Sequence, residues 1–355
     1  MPKPNFMQTR KQRKNIQVYN FCARLKVMKK REIKFLITFL AMTLLAGGVF
    51  AITIESKEQE IKVEENKGFF KGDVKVQVGD VVVHSPRADL DLEPQTKKPS
   101  LATFFDKPYA LQVKDNKKHE VKADIIKVSL INKVITAQGN AQTNVLQNKK
   151  PVVIITSNEQ EYDTKTNLMK ATGSVIINYE DMVGTSDEAY ALLDKNNDVQ
   201  NVKLVSKATL KQDKSIIKGD TIQYSKLRQD IIVSGNTHSD VTFENGDRII
   251  VNARSQQYDR LGNTLMATGN VDIKYGDYVV VGPKAIMHID PKTNKPEKII
   301  FSGRSKITEK KVNSVEADKI TITTQPRTFE AVGKVKTIIE QGSKNDNQNK
   351  MEFSL

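Results

Sequence analysis

Tryptophan is absent from this chain, cysteine occurs once, and aromatic residues make up only 6% of it. The lone Cys22 precedes the first hydrophobic segment, so everything after it lacks the means for a disulfide framework or a thiolate metal site. The four histidines, His84, His119, His238 and His288, are scattered, with no pair at metal-ligand spacing. Phosphate-binding glycine loops, nucleophile elbows and zincin motifs are missing too. Carboxylates are plentiful but concentrate in turns, where such side chains bond the local backbone. Asp163 and Asp259 repeat one turn position, which points to architecture rather than acid–base work. No catalytic residue, cofactor or metal is therefore expected. The apolar fraction is a thin 38%, and it is rich in Val and Ile. That composition suits shallow sheets better than a thick helical core.

Basic charge is present but unevenly placed. The formal net charge is +14, yet residues 1–34 hold eleven Lys and Arg against one acid, Glu32. Downstream the balance is 45 basic to 41 acidic residues. A nucleic-acid partner would call for a basic stripe with stacking aromatics on the folded part, and there is none. The basic surplus instead reads as a cytoplasmic segment ahead of an export signal. From Phe35 to Ile54 the chain runs FLITFLAMTLLAGGVFAITI without a charge, followed by Glu55, Glu58 and Glu60. Such a segment can just span a bilayer as an apolar helix with the N-terminus inside. Val49-Phe50-Ala51 suits signal-peptidase cleavage, and Met28-Lys29-Lys30-Arg31 resembles the opening of an ordinary signal peptide, so either Met1 or Met28 could be the true start. Ile52-Thr53-Ile54 prolong the apolar run as an uncleaved anchor would. Residues 35–54 are thus a signal peptide or a single transmembrane anchor, and in both cases residues from about 55 onward leave the cytoplasm.

An internal repeat decides the fold class. An apolar residue, a small residue, Gly, a polar residue and an apolar pair recur in alternation. Leu265-Met-Ala267-Thr-Gly269-Asn-Val271-Asp-Ile273 and Met169-Lys-Ala171-Thr-Gly173-Ser-Val175-Ile-Ile177 are the clearest copies. The glycines stand at 72, 139, 173, 235, 269, 303 and 333, and the two long gaps are each about two periods. Missing members fall near Asp106 and Ser206. A second ladder of small residues (Ala88, Ala123, Ser157, Gly219, Ala253, Ala285, Ala317) interleaves with the first, with Tyr162, Tyr190, Tyr224 and Tyr258 shortly after its members. Period-two alternation puts Leu265, Ala267, Val271 and Ile273 on one face and Met266, Thr268 and Asp272 on the other. Turns rich in Asp, Asn, Gly and Lys, such as 163–167 and 259–263, separate the strands. Helical periodicity after residue 60 is confined to Ser186–Leu193. The expectation is an all-β, solenoid-like stack of about sixteen antiparallel strands over residues 60–340, preceded by the apolar helix. It can be one array or two tandem units, 60–150 and 151–340. In two facing sheets its length would be about 40 Å. Residues 341–355 are expected to be a disordered tail.

The spaced array, with Ala267-Thr-Gly269-Asn-Val271 and Ala253-Arg-Ser-Gln-Gln-Tyr258-Asp259 as its best motifs, resembles the OstA-like (organic solvent tolerance) family of periplasmic lipopolysaccharide-transport proteins. The resemblance covers residues 60–340 and is best between 130 and 340. It implies an open, folded β-jellyroll that stacks edge to edge with other jellyroll components into a bridge between membranes. It implies lipopolysaccharide or a related glycolipid as ligand, and contact with the inner membrane if the N-terminal segment stays uncleaved. The chain is longer than a single-domain component, which fits an extended bridge. Shelter for an acyl chain is worth about 0.8 kcal/mol per methylene, so an apolar β groove has a clear use. The candidate lipid-facing residues are Val175, Ile177, Ile231, Val233, Leu265, Val271, Ile273, Phe301, Val335 and Ile339; the same alternation would also build an ordinary sandwich core. A closed β-solenoid acting as envelope scaffold, adhesin or polysaccharide-binding surface is the alternative.

Overall fold

The chain is described by a computed structural model. It covers residues 52–339 apart from the short connections 79–80, 115–116, 149, 180, 195–198, 243–247, 292–295, 311 and 325. The basic segment 1–34, most of the apolar run and the tail from 341 lie outside the described residues.

Every described regular element is a β-strand, and all belong to one antiparallel sheet. The first rungs are β1 (Ile52–Glu55), β2 (Glu58–Lys62), β3 (Lys67–Val78), β4 (Val81–Leu92), β5 (Pro99–Phe105), β6 (Tyr109–Lys114), β7 (Lys117–Lys122) and β8 (Ile125–Ser129). Twelve long strands follow: β9 (Val134–Gln147), β10 (Lys150–Asp163), β11 (Leu168–Tyr179), β12 (Met182–Leu193), β13 (Val199–Gln212), β14 (Ser215–Ser225), β15 (Asp230–Thr242), β16 (Arg248–Asp259), β17 (Thr264–Tyr275), β18 (Tyr278–Ile289), β19 (Pro296–Glu309) and β20 (Asn313–Thr324). The short β21 (Arg327–Val332) and β22 (Lys336–Ile338) close the series.

Each long strand is bent at its centre, and the bend explains the glycines. In β11 the pairing with β12 skips Gly173 and Ser174, whose φ angles are 78° and 51°. Two consecutive left-handed residues make a bulge that turns the strand sharply. A Cβ on Gly173 would fall 2.4 Å from the Asn158 side chain, so glycine is required by both conformation and space. The two missing members of the series are present in conformation if not in residue type: Asp106 and Lys107 have φ of 64° and 62°, and Ser206 and Lys207 have 63° and 54°. The repeat is therefore unbroken, with non-glycine residues holding the same bend at two rungs.

Chain passes β1/β2, β5/β6, β7/β8 and β21/β22 are likewise single bent rungs, split at the bend. The stack consists of eighteen bent passes, close to the sixteen strands the sequence suggests. Its length differs more. The sequence reading assigned each strand to one sheet, whereas every pass runs through both arms, so at about 4.8 Å per rung the body is roughly 80 Å long. We call the two arms the tyrosine arm and the valine arm after their inner residues. The sheet continues without interruption from β9 into β10, across position 150. Ser186–Leu193, the one stretch with helical periodicity, lies in β12. The last three residues of the apolar run, Ile52-Thr53-Ile54, pair with Val78, Gln77 and Val76 as part of β1.

Candidate lipid-binding groove

Because side chains alternate along each arm and the register is fixed, inner residues line up across strands into rows. On the tyrosine arm one row passes through Ile61, Gly68, Leu90, Ala102, Val128, Ile135, Tyr162, Met169 and Ala191. It continues through Val202, Tyr224, Ile231, Tyr258, Leu265, Met287, Ile299, Ile322 and Phe329. The facing row on the valine arm starts at Ile54, Val76, Val83, Ala110, Val121, Thr143, Ile155, Ile177 and Gly184. It goes on through Leu210, Ile217, Ser239, Val251, Ile273, Val280, Ile307, Val315 and Thr337. Each row is in register from the first rung to the last.

The ten residues singled out from sequence fall into three groups. Val175, Val233, Val271 and Phe301 sit beside the bend and are buried, at 1–4% exposure. Ile177, Ile231, Leu265 and Ile273 occupy the rows nearer the rim and are half-buried. Val335 and Ile339 flank β22 in the last described pass and are 51% and 48% exposed. They lie on the last rung among the described residues.

A further cavity lies elsewhere, at the first rungs. It offers about 260 Å³ between Ile52, Ile54, Val76 and Val83 of the valine arm and Phe70, Leu90, Ala102, Phe104, Val128 and Leu130 of the tyrosine arm, and it is partly open to solvent. Its size approaches the roughly 300–1,000 Å³ usual for small-ligand sites. None of these residues was among the ten, because the repeat copy around Phe70 is weak and Ile52 and Ile54 read as part of a membrane segment. The alternating Val81-Val82-Val83 was the available signal.

Polar groups inside the stack are mostly brackets for the bend. Gln160 is fully buried; its amide donates to Ala141 O and Ile155 O at 3.2 Å, and its oxygen accepts from Thr143 Oγ1 at 2.5 Å. Gln256 repeats this arrangement with Thr237, Val251 and Ser239. The turn carboxylates are architectural: Asp163 Oδ1 accepts from the N–H groups of Lys165 and Thr166, and Asp259 Oδ1 from that of Gly262. Tyr162, in the same region, is 1% exposed and donates to Asn167 Oδ1 at 3.2 Å. Burial, reinforced by the charge of Asp163, pushes its phenol up to about 12. His84 stacks on Tyr109 with 4.9 Å between ring centroids, and His238 Nδ1 lies 2.8 Å from Asn252 Oδ1. Among the described residues, no three His, Cys, Asp or Glu side chains are grouped to hold a metal.

Residues 53–153 and 250–353, together more than half of the chain, match the family described as LptA/(LptD N-terminal domain) LPS transport protein. The chain belongs to that family. The intervening residues 154–249 carry the same bends and inner rows as the two matched segments. Among solved structures, the chain is similar to LptH of Pseudomonas aeruginosa, the LptA-homologous periplasmic component of the lipopolysaccharide transport device. The identity is 16%, over 35% of this chain and 83% of that one, with a TM-score of 0.30. No curated protein matches the chain.

Proposed function

We propose that the chain is an extended periplasmic bridge segment that shelters the acyl chains of lipopolysaccharide or a related glycolipid between its two arms. The observation that carries this reading is the pair of facing, mostly apolar rows, in register over eighteen rungs and only half-buried over most of β13–β17. At about 0.8 kcal/mol per methylene, twelve carbons gain roughly 9 kcal/mol from such shelter. The N-terminal apolar run would either be removed on export or tether the bridge to the inner membrane.

Both ends of the stack suit edge-strand addition. The first pass runs from the valine arm to the tyrosine arm and the last pass runs the opposite way, because the number of passes is even. A jellyroll stacked on either end in the same orientation therefore continues the antiparallel alternation. The last rung also presents Phe329, Val335 and Ile339, and the first Ile52 and Ile61, as exposed apolar contacts.

Site-specific photo-crosslinking in cells tests the lipid reading, with the probe at Ile273 and an outward control at Asp272. A lipopolysaccharide adduct at Ile273 alone supports the groove. An exported, folded protein with no lipid adduct at Ile273 would favour a closed envelope scaffold.

A further inference from the structure

Three tyrosines of the inner row, Tyr162, Tyr224 and Tyr258, stand at the same place in their repeats, just before a rim turn. Five residues beyond each comes a left-handed turn residue: Asn167 (φ 55°), Gln229 (φ 51°) and Asn263 (φ 48°). In the first repeat that asparagine accepts the tyrosine hydroxyl. In the middle repeat the position holds glutamine, one methylene longer. There the Tyr224 hydroxyl is buried with no hydrogen-bond partner among the described residues. Its ring lies on the inner face between Val202 and Ile231, its pairing neighbours. An unpaired buried hydroxyl is costly to a fold and is seldom kept without a use.

The surroundings of Tyr224 differ from those of the other two tyrosines. Burial raises its phenol pKa while the positive charge of Arg260 opposes the shift, which places that guanidinium within electrostatic reach. Arg260 opens the next rim turn, and its backbone N–H donates to Gln229 O at 3.2 Å, so the two turns adjoin. At their tips Leu227 and Leu261 are 85% and 63% exposed. Over this same stretch the inner rows, Ser239 apart, are only half-buried.

Resting on the lipid reading above, we propose that Tyr224 and Arg260 form a polar station of the groove for an anionic amphiphile. The Tyr224 hydroxyl donates to an oxygen at the acyl linkage, Arg260 faces the anionic headgroup, and Leu227 and Leu261 flank the entry of the chains. Exposed leucines on basic turns would also suit insertion into a membrane surface. The unused donor decides against that, because it lies on the inner face, which a bilayer resting on the rim does not reach.

The test is a titration of the purified full-length chain with fluorescently labelled lipopolysaccharide, alongside thermal unfolding. Tyr224→Phe and Gln229→Asn should each weaken binding about tenfold, the first by deleting the donor and the second by giving it an internal acceptor. Neither should lower the melting temperature, because neither removes a bond present in the unliganded fold. Arg260→Gln should weaken binding of intact lipopolysaccharide more than that of phosphatase-treated material. Wild-type binding with unchanged affinity in Tyr224→Phe and Gln229→Asn overturns the station and leaves the groove standing. No binding by the wild type overturns both. A fall in melting temperature that parallels the loss of affinity would make Tyr224 structural and overturn the station. Loss of co-sedimentation with anionic vesicles in Leu227→Ser and Leu261→Ser, with titrations unaltered, would reassign the turns to a membrane.

Discussion

Two stretches of the same stack, built on the same rows and register, differ in how their arms meet. Around β9–β12 the interior is largely sealed: Ile135, Tyr162, Met169 and Ala191 face Thr143 and Ile155, none more than 4% exposed, and Ile177 alone of the large inner residues is half-buried. Over β13–β17 the equivalent residues Val202, Tyr224, Ile231, Tyr258 and Leu265, with Leu210, Ile217, Val251 and Ile273 opposite, are all half-buried. One sequence pattern thus builds a fully buried interior in one place and a half-buried one in another. The difference lies in how completely the arms cover each other; the buried Gln160 bracket does not set it, because Gln256 forms the same bracket in the second stretch. A lipid passing from the cavity at the first rungs to the open stretch would have to part Tyr162 and Met169 from the valine arm.

The comparison can be broken most directly by truncating equivalent tyrosines. Tyr162→Ala should cost roughly 3–5 kcal/mol in urea unfolding, as for a large buried aromatic, and Tyr258→Ala about 1–2 kcal/mol, because half its surface gain is absent. Equal losses would mean that the two stretches are packed alike. Charge placed in the rows sharpens the same contrast. Ile155→Asp buries an unpaired carboxylate and should prevent folding, whereas Ile231→Asp and Ile273→Asp should leave a folded protein, by circular dichroism, with lipopolysaccharide binding reduced tenfold or more, on the order of 1.4 kcal/mol.

Smaller effects are expected at the bends, which both stretches share. Gly173→Ala should destabilise by about 1–3 kcal/mol through strain and collision with Asn158, while Ser206→Gly should stabilise by about 0.5–1 kcal/mol by relieving a left-handed serine. Thermal unfolding of the two variants checks both signs. The least effect concerns pH. Because the Tyr162 phenol is raised to about 12 in the fold, its neutral form contributes stability that is complete below the ordinary phenol range near 10 and is lost as pH rises toward 12. Wild type should therefore lose stability more steeply than Tyr162→Phe across that window.

Much of this architecture is legible in the residues. The glycine series gave the bends, and its apparent gaps at Asp106 and Ser206 marked true bends, because backbone conformation there is imposed by neighbouring rungs rather than by residue type. The inner face was legible from alternation, so Ile231, Leu265 and Ile273 were placed on it correctly. Depth was not: alternation gives Val175 at 1% exposure and the half-buried Ile177 the same value, since it carries no information about the opposite arm. Nor did it show that Val335 and Ile339, on the last described rung, are about half exposed. The length was halved because a bend and a turn both interrupt alternation, and only pairing reveals that a bent strand serves two arms. Ile52 and Ile54 were read with the apolar run preceding them, whose composition masks the start of β1.

The most direct test of the central claim, that the half-buried rows form a lipid groove, is a nitroxide scan by electron paramagnetic resonance during lipopolysaccharide titration. Labels at Ile231, on the inner row, and at its outward neighbour Ile232 suffice. The account predicts broadening at 231 that saturates with lipopolysaccharide and an unchanged spectrum at 232. No change at 231, in protein that unfolds at the unlabelled temperature, would contradict it.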